Sequence, residues 1–336
     1  MNILVIGGTR NLGHSLVHKL IDLGHHVTVF NRGKTHDQLP DSVERLRGDR
    51  TDPAQLTHAL QGRSFDAVVD NALYKGGEVE PVVRLLNNRI GHYIFLSTGQ
   101  VYLVREGIER PFSEDEYEGR LMPSPKPNTY GFEEWVYGIE KRRAEDALHT
   151  AWEQEGFPYT SLRLPMVNSE RDHFHRLYNY IVRLKDGGPI LTPSTPNYPL
   201  RHVYSEDVVN AVLHLIETGK GKGEAYNISQ DETLPLDDFL AILGDLLGVT
   251  AQVIRVRRDV LEANGFLPDC SPFSERWMSE LDNTRSKREL GIAYTPVREY
   301  LARIVAYYQD NPPPKPASYR RRRAELLLLE HSDPVA

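Results

Sequence analysis

Tyr137 and Lys141 stand four residues apart in the segment Tyr137-Gly138-Ile139-Glu140-Lys141, within a stretch of helical character. At that spacing the two side chains share one helical face. A free tyrosine titrates at about 10 and is a poor base at neutral pH. An ammonium beside it favours the phenolate, so the pair suits acid–base work on a hydroxyl. Tyr130 competes for this role, but four residues on it has Glu134, which would not stabilise a phenolate. A second constellation, Gly7, Gly8, Thr9, Arg10, Asn11, Leu12 and Gly13, follows directly on the apolar run Asn2–Ile6. Its glycines allow a sharp turn with bare backbone N–H groups. An anion such as a nucleotide diphosphate would then sit at the N-terminus of the helix that follows.

The elements that must position these groups alternate. Residues 2–6, 26–30, 44–48, 66–70 and 92–97 read as strands rich in β-branched or aromatic residues. Helical patterns lie between them, near 12–23, from about 53, and at 78–88. This alternation predicts a parallel, doubly wound Rossmann-type α/β sheet. A long helix follows over 132–155, then a strand at 159–164, a helix at 206–217 and a last strand at 224–228. The Pro- and charge-rich stretch 107–128 reads as an insertion over the active-site side, residues 169–197 as irregular, and the chain from Leu236 as mostly helical. The expected organisation is a dinucleotide-binding domain at 1–168, with 201–229 returning to it. A smaller, mostly helical substrate lobe would comprise 169–200 and 230–316, with a tail at 317–336.

The end of the second strand decides the dinucleotide. An acidic residue there would hold a ribose 2′-hydroxyl and repel a 2′-phosphate. This chain has Asn31 and Arg32, with Arg10 on the neighbouring loop and Lys34 close by. Guanidiniums without a carboxylate suit a phosphate, so NADP(H) is favoured and NAD(H) remains open. The competing reading is solvated loop cations.

These motifs resemble the extended branch of the short-chain dehydrogenase/reductase family, whose members are NAD-dependent epimerases and dehydratases. Gly7, Gly8 and Gly13 are similar to its G-x-x-G-x-x-G turn, with Arg10 where the middle glycine stands. GGTRNLG looks like the turn of a subgroup holding sugar-nucleotide epimerase-like proteins and chloroplast RNA-binding relatives. Tyr137 and Lys141 match Y-x-x-x-K, and Ser97-Thr98-Gly99-Gln100-Val101-Tyr102 is similar to S-S/T-x-x-V-Y. The resemblance implies that Thr98 bonds the reacting oxygen, that Tyr137 moves the proton, and that Lys141 holds the nicotinamide ribose. It places Asp49 at the adenine, with Arg50 after it, and Asn71 and Ala72 along the cofactor. Gln100 and Arg201 would meet substrate, Arg201 at a nucleotide-sugar diphosphate. Read alone, Thr98 caps a strand, Asp49 caps a helix, and Arg201 is a surface residue before a helix capped by Ser205. Gly99 and Gln100 replace the Asp-Glu of the family's dehydratases, and Met166 replaces an Asn that often contacts substrate. The resemblance thus implies a nucleotide-sugar epimerase. The alternatives are an NADPH-dependent carbonyl reductase and a non-catalytic RNA-binding protein. It also implies a homodimer through the helix at 132–155.

The 336 residues carry a net charge of −7, which argues against nucleic-acid and anionic-membrane partners. Cys270 is the single cysteine, so no internal disulfide is possible. No signal peptide or 18-residue apolar span is visible, and a cytoplasmic protein is expected. His173 and His175 lack an evident third ligand, so no metal is expected. Arg320–Arg323 read as a solvated helix face or subunit contact.

Overall fold

The first strand, β1 (Asn2–Ile6), is buried from its second residue onward, and the rest of the molecule is laid out on either side of it. In the computed structural model, which describes residues 1–35, 37–195 and 197–330, the following strands are β2 (His26–Asn31), β3 (Glu44–Arg47), β4 (Phe65–Asp70), β5 (Ile90–Thr98) and β6 (Tyr159–Leu164). Short strands β7 (Val167–Asn168), β8 (Ile190–Pro193) and β9 (Val203–Tyr204) precede β10 (Glu224–Asn227) and β11 (Val253–Val256). Seven of them form one parallel sheet in the order β10-β6-β5-β4-β1-β2-β3.

The crossovers run through α1 (Asn11–Asp22), α2 (Pro53–Leu60), α3 (Val79–Leu86), the short α4 (Gln100–Leu103) and α5 (Tyr130–Glu155). Both faces of the sheet are covered, as a parallel sheet requires. On one face Val5, Val29 and Val69 pack with Leu16 and Val17 of α1 and with Val208 and Val212 of a later helix. On the other, Leu4, Phe30 and Phe95 meet Leu56 of α2, Val82 of α3 and Leu148 of α5. The helix starts follow local chemistry. Asp52 caps α2, accepting from the N–H groups of Ala54 and Gln55 ahead of Pro53, and Thr129 caps α5 by accepting from Phe132 N–H at 3.2 Å.

The remaining helices are α6 (Arg176–Lys185), α7 (Ser205–Thr218), α8 (Leu236–Leu247), α9 (Arg258–Ala263), α10 (Val297–Asp310) and α11 (Arg322–Glu330). A second apolar cluster joins α6, α8 and α10 through Leu177, Ile181, Phe239, Leu243, Leu301 and Ile304. Two expectations are corrected here. Residues 169–197 are not wholly irregular, because α6 and β8 lie within them. The chain from Leu236 is mostly helical as expected, with one short strand, β11, paired in parallel with β8. Ser205 does not cap α7; that position falls to Tyr204, which makes no side-chain cap bond.

The tail is also corrected, in part. Arg322 is buried between Asp186 and Glu325, and Glu325 pairs with the fully buried Arg183 at 2.6 Å. Arg321 donates to the carbonyls of Gly265 and Asn264, while Arg320 and Arg323 are exposed. Residues 331–336 of the predicted tail lie outside the described residues. Among the described residues, no helix is long and apolar enough to cross a membrane.

Candidate active site

Gly7 and Gly8 adopt φ of +100° and +86°, a turn that side chains rarely allow. A Cβ on Gly13 would lie 2.5 Å from Gly8 Cα, so α1 approaches the turn as closely as only glycine permits. Arg10 occupies the N-cap of α1 without a side-chain cap bond, which leaves the first N–H groups of the helix facing the turn. Around this turn lies a cavity of about 450 Å³, lined by Gly7, Gly8, Thr9, Arg10, Asn31, Arg32, Lys34, Asp49, Arg50, Asn71 and Ala72 among others. Of the expected cofactor residues, Asn11, Leu12, Gly13 and Lys141 are not on that lining. Gly13 lies under the turn, and Asn11 accepts a 2.5 Å hydrogen bond from Ser169.

The cavity suits a dinucleotide. Arg10, Arg32 and Lys34 are exposed, and their side chains make no hydrogen bond or ion pair to a described residue. Asn31 Nδ2 is buried without a partner. Asp49 accepts from Thr51 N–H at 3.0 Å and its hydroxyl at 2.8 Å. These bonds hold its carboxyl below the usual carboxylate range, with Arg32 and Lys34 adding to the effect. Arg50 also lines the cavity; its guanidinium pairs with Asp70 at 2.8 Å and with Glu78, while its Nε is buried without a hydrogen-bond partner among the described residues.

Thr98 ends β5 at the C-terminal edge of the sheet. Its neighbour is pinned by a 2.7 Å bond from Gly99 N–H to Leu164 O, and Thr98 Oγ1 accepts from Gln100 N–H at 3.3 Å. Gly138 lets α5 close on this segment, for a Cβ there would meet Val104 Cγ1 at 2.7 Å and Gln100 O at 2.8 Å. The result brings the Tyr137 phenol to the Thr98 hydroxyl. Below the site, Ser97 donates to Glu145, which also takes a 2.6 Å ion pair from the buried Arg163.

The electrostatics differ from the expectation that Lys141 would favour a phenolate. Burial pushes the Tyr137 phenol up, Tyr74 and Glu134 push the same way, and only Thr98 opposes them. Burial also pushes the Lys141 amine down to about 7, although Asp70 and Glu145 favour its charge. Its Nζ donates to Leu96 O at 2.9 Å and lies 5.8 Å from the centre of the Tyr137 ring. Tyr137 is therefore poised as a neutral acid in the protein alone, and a positive ring beside it would restore the bias towards the phenolate.

Sequence reading missed three neighbours. Tyr74 lines the cofactor cavity with its ring centroid 6.5 Å from that of Tyr137. Glu134 accepts from the Gln100 amide, leaving Gln100 Oε1 buried and unpartnered. Arg47 donates to Asn31. The position of Tyr137 seven residues after Tyr130, with Glu134 between, was the available signal for Glu134, since these residues fall on one helical face. Arg201 stands apart. Its Nε donates to Gln230 O at 3.0 Å and its guanidinium to Asn283 Oδ1 at 3.1 Å.

Comparisons with known proteins agree with this architecture. Residues 3–82 and 79–229 match the model of the NAD-dependent epimerase/dehydratase family. The chloroplast stem-loop binding protein of 41 kDa b from Arabidopsis thaliana is 28% identical over 248 residues, 70% of this chain and 60% of that protein. The 2′-dehydrokanamycin reductase of Streptomyces kanamyceticus is 32% identical over 152 residues, 45% of this chain and 39% of the reductase. The chain thus spans less than two thirds of the length of either relative. Among solved structures, UDP-glucose 4-epimerase from Thermotoga maritima superposes with a TM-score of 0.71 at 21% identity, covering 93% of this chain and 99% of the epimerase. The dTDP-glucose 4,6-dehydratase of Bacillus anthracis gives 0.73 at 16% identity, covering 93% and 97%. Both likenesses are of fold. The glycine turn, the Y-x-x-x-K helix and the matched residues together make this chain a member of the NAD-dependent epimerase/dehydratase family.

Proposed function

We propose that the protein is an NAD(P)-dependent enzyme that oxidises and reduces a sugar carbon, with a nucleotide-sugar epimerase as the leading reading and NADP(H) as the favoured cofactor. The observation that carries it is the convergence of the Thr98 hydroxyl and the Tyr137 phenol at the sheet edge, next to a cavity with unpaired cations. Gly7, Gly8, Thr9 and Arg10 would hold the diphosphate of the cofactor, with Gly13 beneath them. Asn31, Arg32 and Arg10 would face the adenosine ribose, Asp49 the adenine, and Asn71 and Ala72 the middle of the molecule. When bound, the nicotinamide supplies the hydride acceptor and donor. Thr98 holds the substrate oxygen by a hydrogen bond, and Tyr137 Oη exchanges its proton with that oxygen. Lys141 fixes α5 to β5 through Leu96 O and would orient the ribose. Thr98, Tyr137 and Gln100 form the wall against which the sugar lies.

A carbonyl reductase is the second reading, favoured by one observation. Arg201, the expected diphosphate contact, already has Nε and one terminal nitrogen engaged. The relatedness to a 2′-dehydrokanamycin reductase points the same way. The stem-loop binding relative keeps an RNA-binding reading in view, against which stands the charge of −7. Mass spectrometry of the co-purifying cofactor, followed by incubation with UDP- and dTDP-hexoses, separates these readings. An epimerase interconverts hexoses with catalytic cofactor, whereas a reductase consumes NADPH in proportion to product. Salt-dependent RNA binding without either activity would overturn the enzyme reading.

A further inference from the structure

Asn31 holds the position where an acidic residue would select NAD(H), and its amide has two chemically opposite ends. The carbonyl end accepts a hydrogen bond from a ribose hydroxyl, while the NH2 end donates to a phosphate oxygen. Which end is offered therefore decides which cofactor is read.

Two donors settle the orientation. Gly33 N–H donates to Asn31 Oδ1 at 2.8 Å, and the Arg47 guanidinium donates to the same oxygen. Neither group can accept, so the oxygen must face them and Nδ2 is left over. Arg47 stands opposite Asn31 in the parallel register of β2 and β3, which brings its side chain under the loop after β2. The fit is tight, because a Cβ on Gly33 would lie 3.1 Å from Arg47 Cδ. The largely buried Asp37 carboxylate braces the other face of the fork, 3.6 Å from Arg47, while also pairing with Arg45 at 3.0 Å. Asn31 lines the cofactor cavity, and its Nδ2 is shielded from solvent with no hydrogen-bond partner. A buried donor without an acceptor is unfavourable, and an anionic oxygen brought beside it relieves that cost.

We infer that Arg47 is a positioning residue for cofactor choice. By holding the carbonyl of Asn31 it presents only the NH2 end to the adenosine ribose, which selects the 2′-phosphate of NADP(H) over the bare hydroxyl of NAD(H). The neighbouring loop carries Arg32 and Lys34, whose side chains no described residue holds. This inference rests on the cofactor reading above and goes beyond it. Arg32 and Arg10 attract a phosphate by charge, whereas Arg47 acts by denying the hydroxyl its acceptor.

The two roles separate in fluorescence titrations of the purified full chain with NADPH and with NADH. Removing a charge weakens NADPH and leaves NADH no tighter. Arg47→Met removes the side-chain donor and leaves only the Gly33 N–H on Oδ1, so Asn31 turns its carbonyl to the hydroxyl more readily, and the variant should bind NADH at least threefold tighter while NADPH weakens. Arg47→Lys, which keeps a charged donor for Oδ1, should retain the wild-type ratio. NADH affinity unchanged or lowered in Arg47→Met, with wild type preferring NADPH, overturns the inference alone. A Lys variant that tightens NADH as Met does overturns it too. Wild type without preference for NADPH overturns both the inference and the cofactor reading.

Discussion

Replacing Glu145 with Gln should unsettle the floor of the site more than any single change at its surface. Glu145 sits on α5 one turn beyond Lys141, and its carboxylate takes Arg163 Nε at 3.0 Å, Arg163 Nη2 at 2.6 Å and the Ser97 hydroxyl. Both side chains of the ion pair are 5% exposed. Arg163 also donates to Tyr102 at 2.7 Å, and Tyr102 to Asn227 at 3.0 Å, so the network ties β5, β6, β10 and α5 together. Burial opposes the charge on Arg163, and Glu145 and Tyr102 more than offset it, keeping it firmly protonated. Glutamine leaves that charge without a counterion, a loss of about 3–5 kcal/mol for a buried pair. At roughly 2 °C per kcal/mol for a chain of this size, the melting temperature should fall by about 6–10 °C. Differential scanning calorimetry checks this. The double change Glu145→Leu with Arg163→Met removes both charges and should lose less than Glu145→Gln alone. A melting temperature within about 2 °C of wild type for Glu145→Gln, or a double variant that is worse, would refute the reasoning.

Three further outcomes follow from the same geometry. Gly13→Ala pushes a methyl into Gly8 Cα at 2.5 Å. It should cost about 1–3 kcal/mol and weaken NADPH more than tenfold in a titration, and an unchanged affinity would mean the turn is not the cofactor cradle. Lys141, with its amine pushed from 10.5 down to about 7, folds preferentially neutral. It costs the fold nothing above the unfolded value, and the cost grows as pH falls towards 7 and is constant below. The stability difference between Lys141→Met and wild type should therefore shift in favour of Met between pH 9.5 and pH 6.5, and equal differences in thermal melts at the two would contradict the burial argument. Finally, Val79, Val83, Ala147 and Ala151 line a groove of about 510 Å³ between α3 and α5. A dimer is expected through this face at micromolar concentration in sedimentation, dissociated by Ala147→Glu, and a monomeric wild type would refute it.

The parts of the molecule legible in the sequence were those whose cause is local. The run Asn2–Ile6 followed by Gly7, Gly8 and Gly13 announces strand, turn and helix within a dozen residues. The spacing of Tyr137 and Lys141 marks one helix face without any knowledge of the fold. What escaped depends on partners far away in the chain. Nothing near Arg50 says that Asp70 and Glu78 neutralise it, 20 and 28 residues on. The neutrality of Tyr137 without cofactor has the same origin, because the expectation counted the charges of Lys141 and the nicotinamide and not the burial that opposes them. Arg322 read as part of a solvated helix face or subunit contact until α11 met Asp186, 136 residues earlier in the chain. The pairing of β8 with β11 joins segments more than 60 residues apart, and four-residue strands carry too few side chains for an alternation to be read.

The central claim is that Tyr137 moves the proton while the glycine cradle holds the cofactor independently of it. Tyr137→Phe removes one oxygen and should leave the melting temperature and NADPH affinity close to wild type. The measurement is turnover of the hexose or carbonyl substrate that the co-purification screen identifies, in wild type and variant side by side with NADPH titrations. The account predicts at least a hundredfold loss of turnover, within the span of general acid–base catalysis, with cofactor affinity changed less than threefold. Turnover within a few-fold of wild type would contradict it and move the proton-transfer role to another residue, with Tyr130 the first to test.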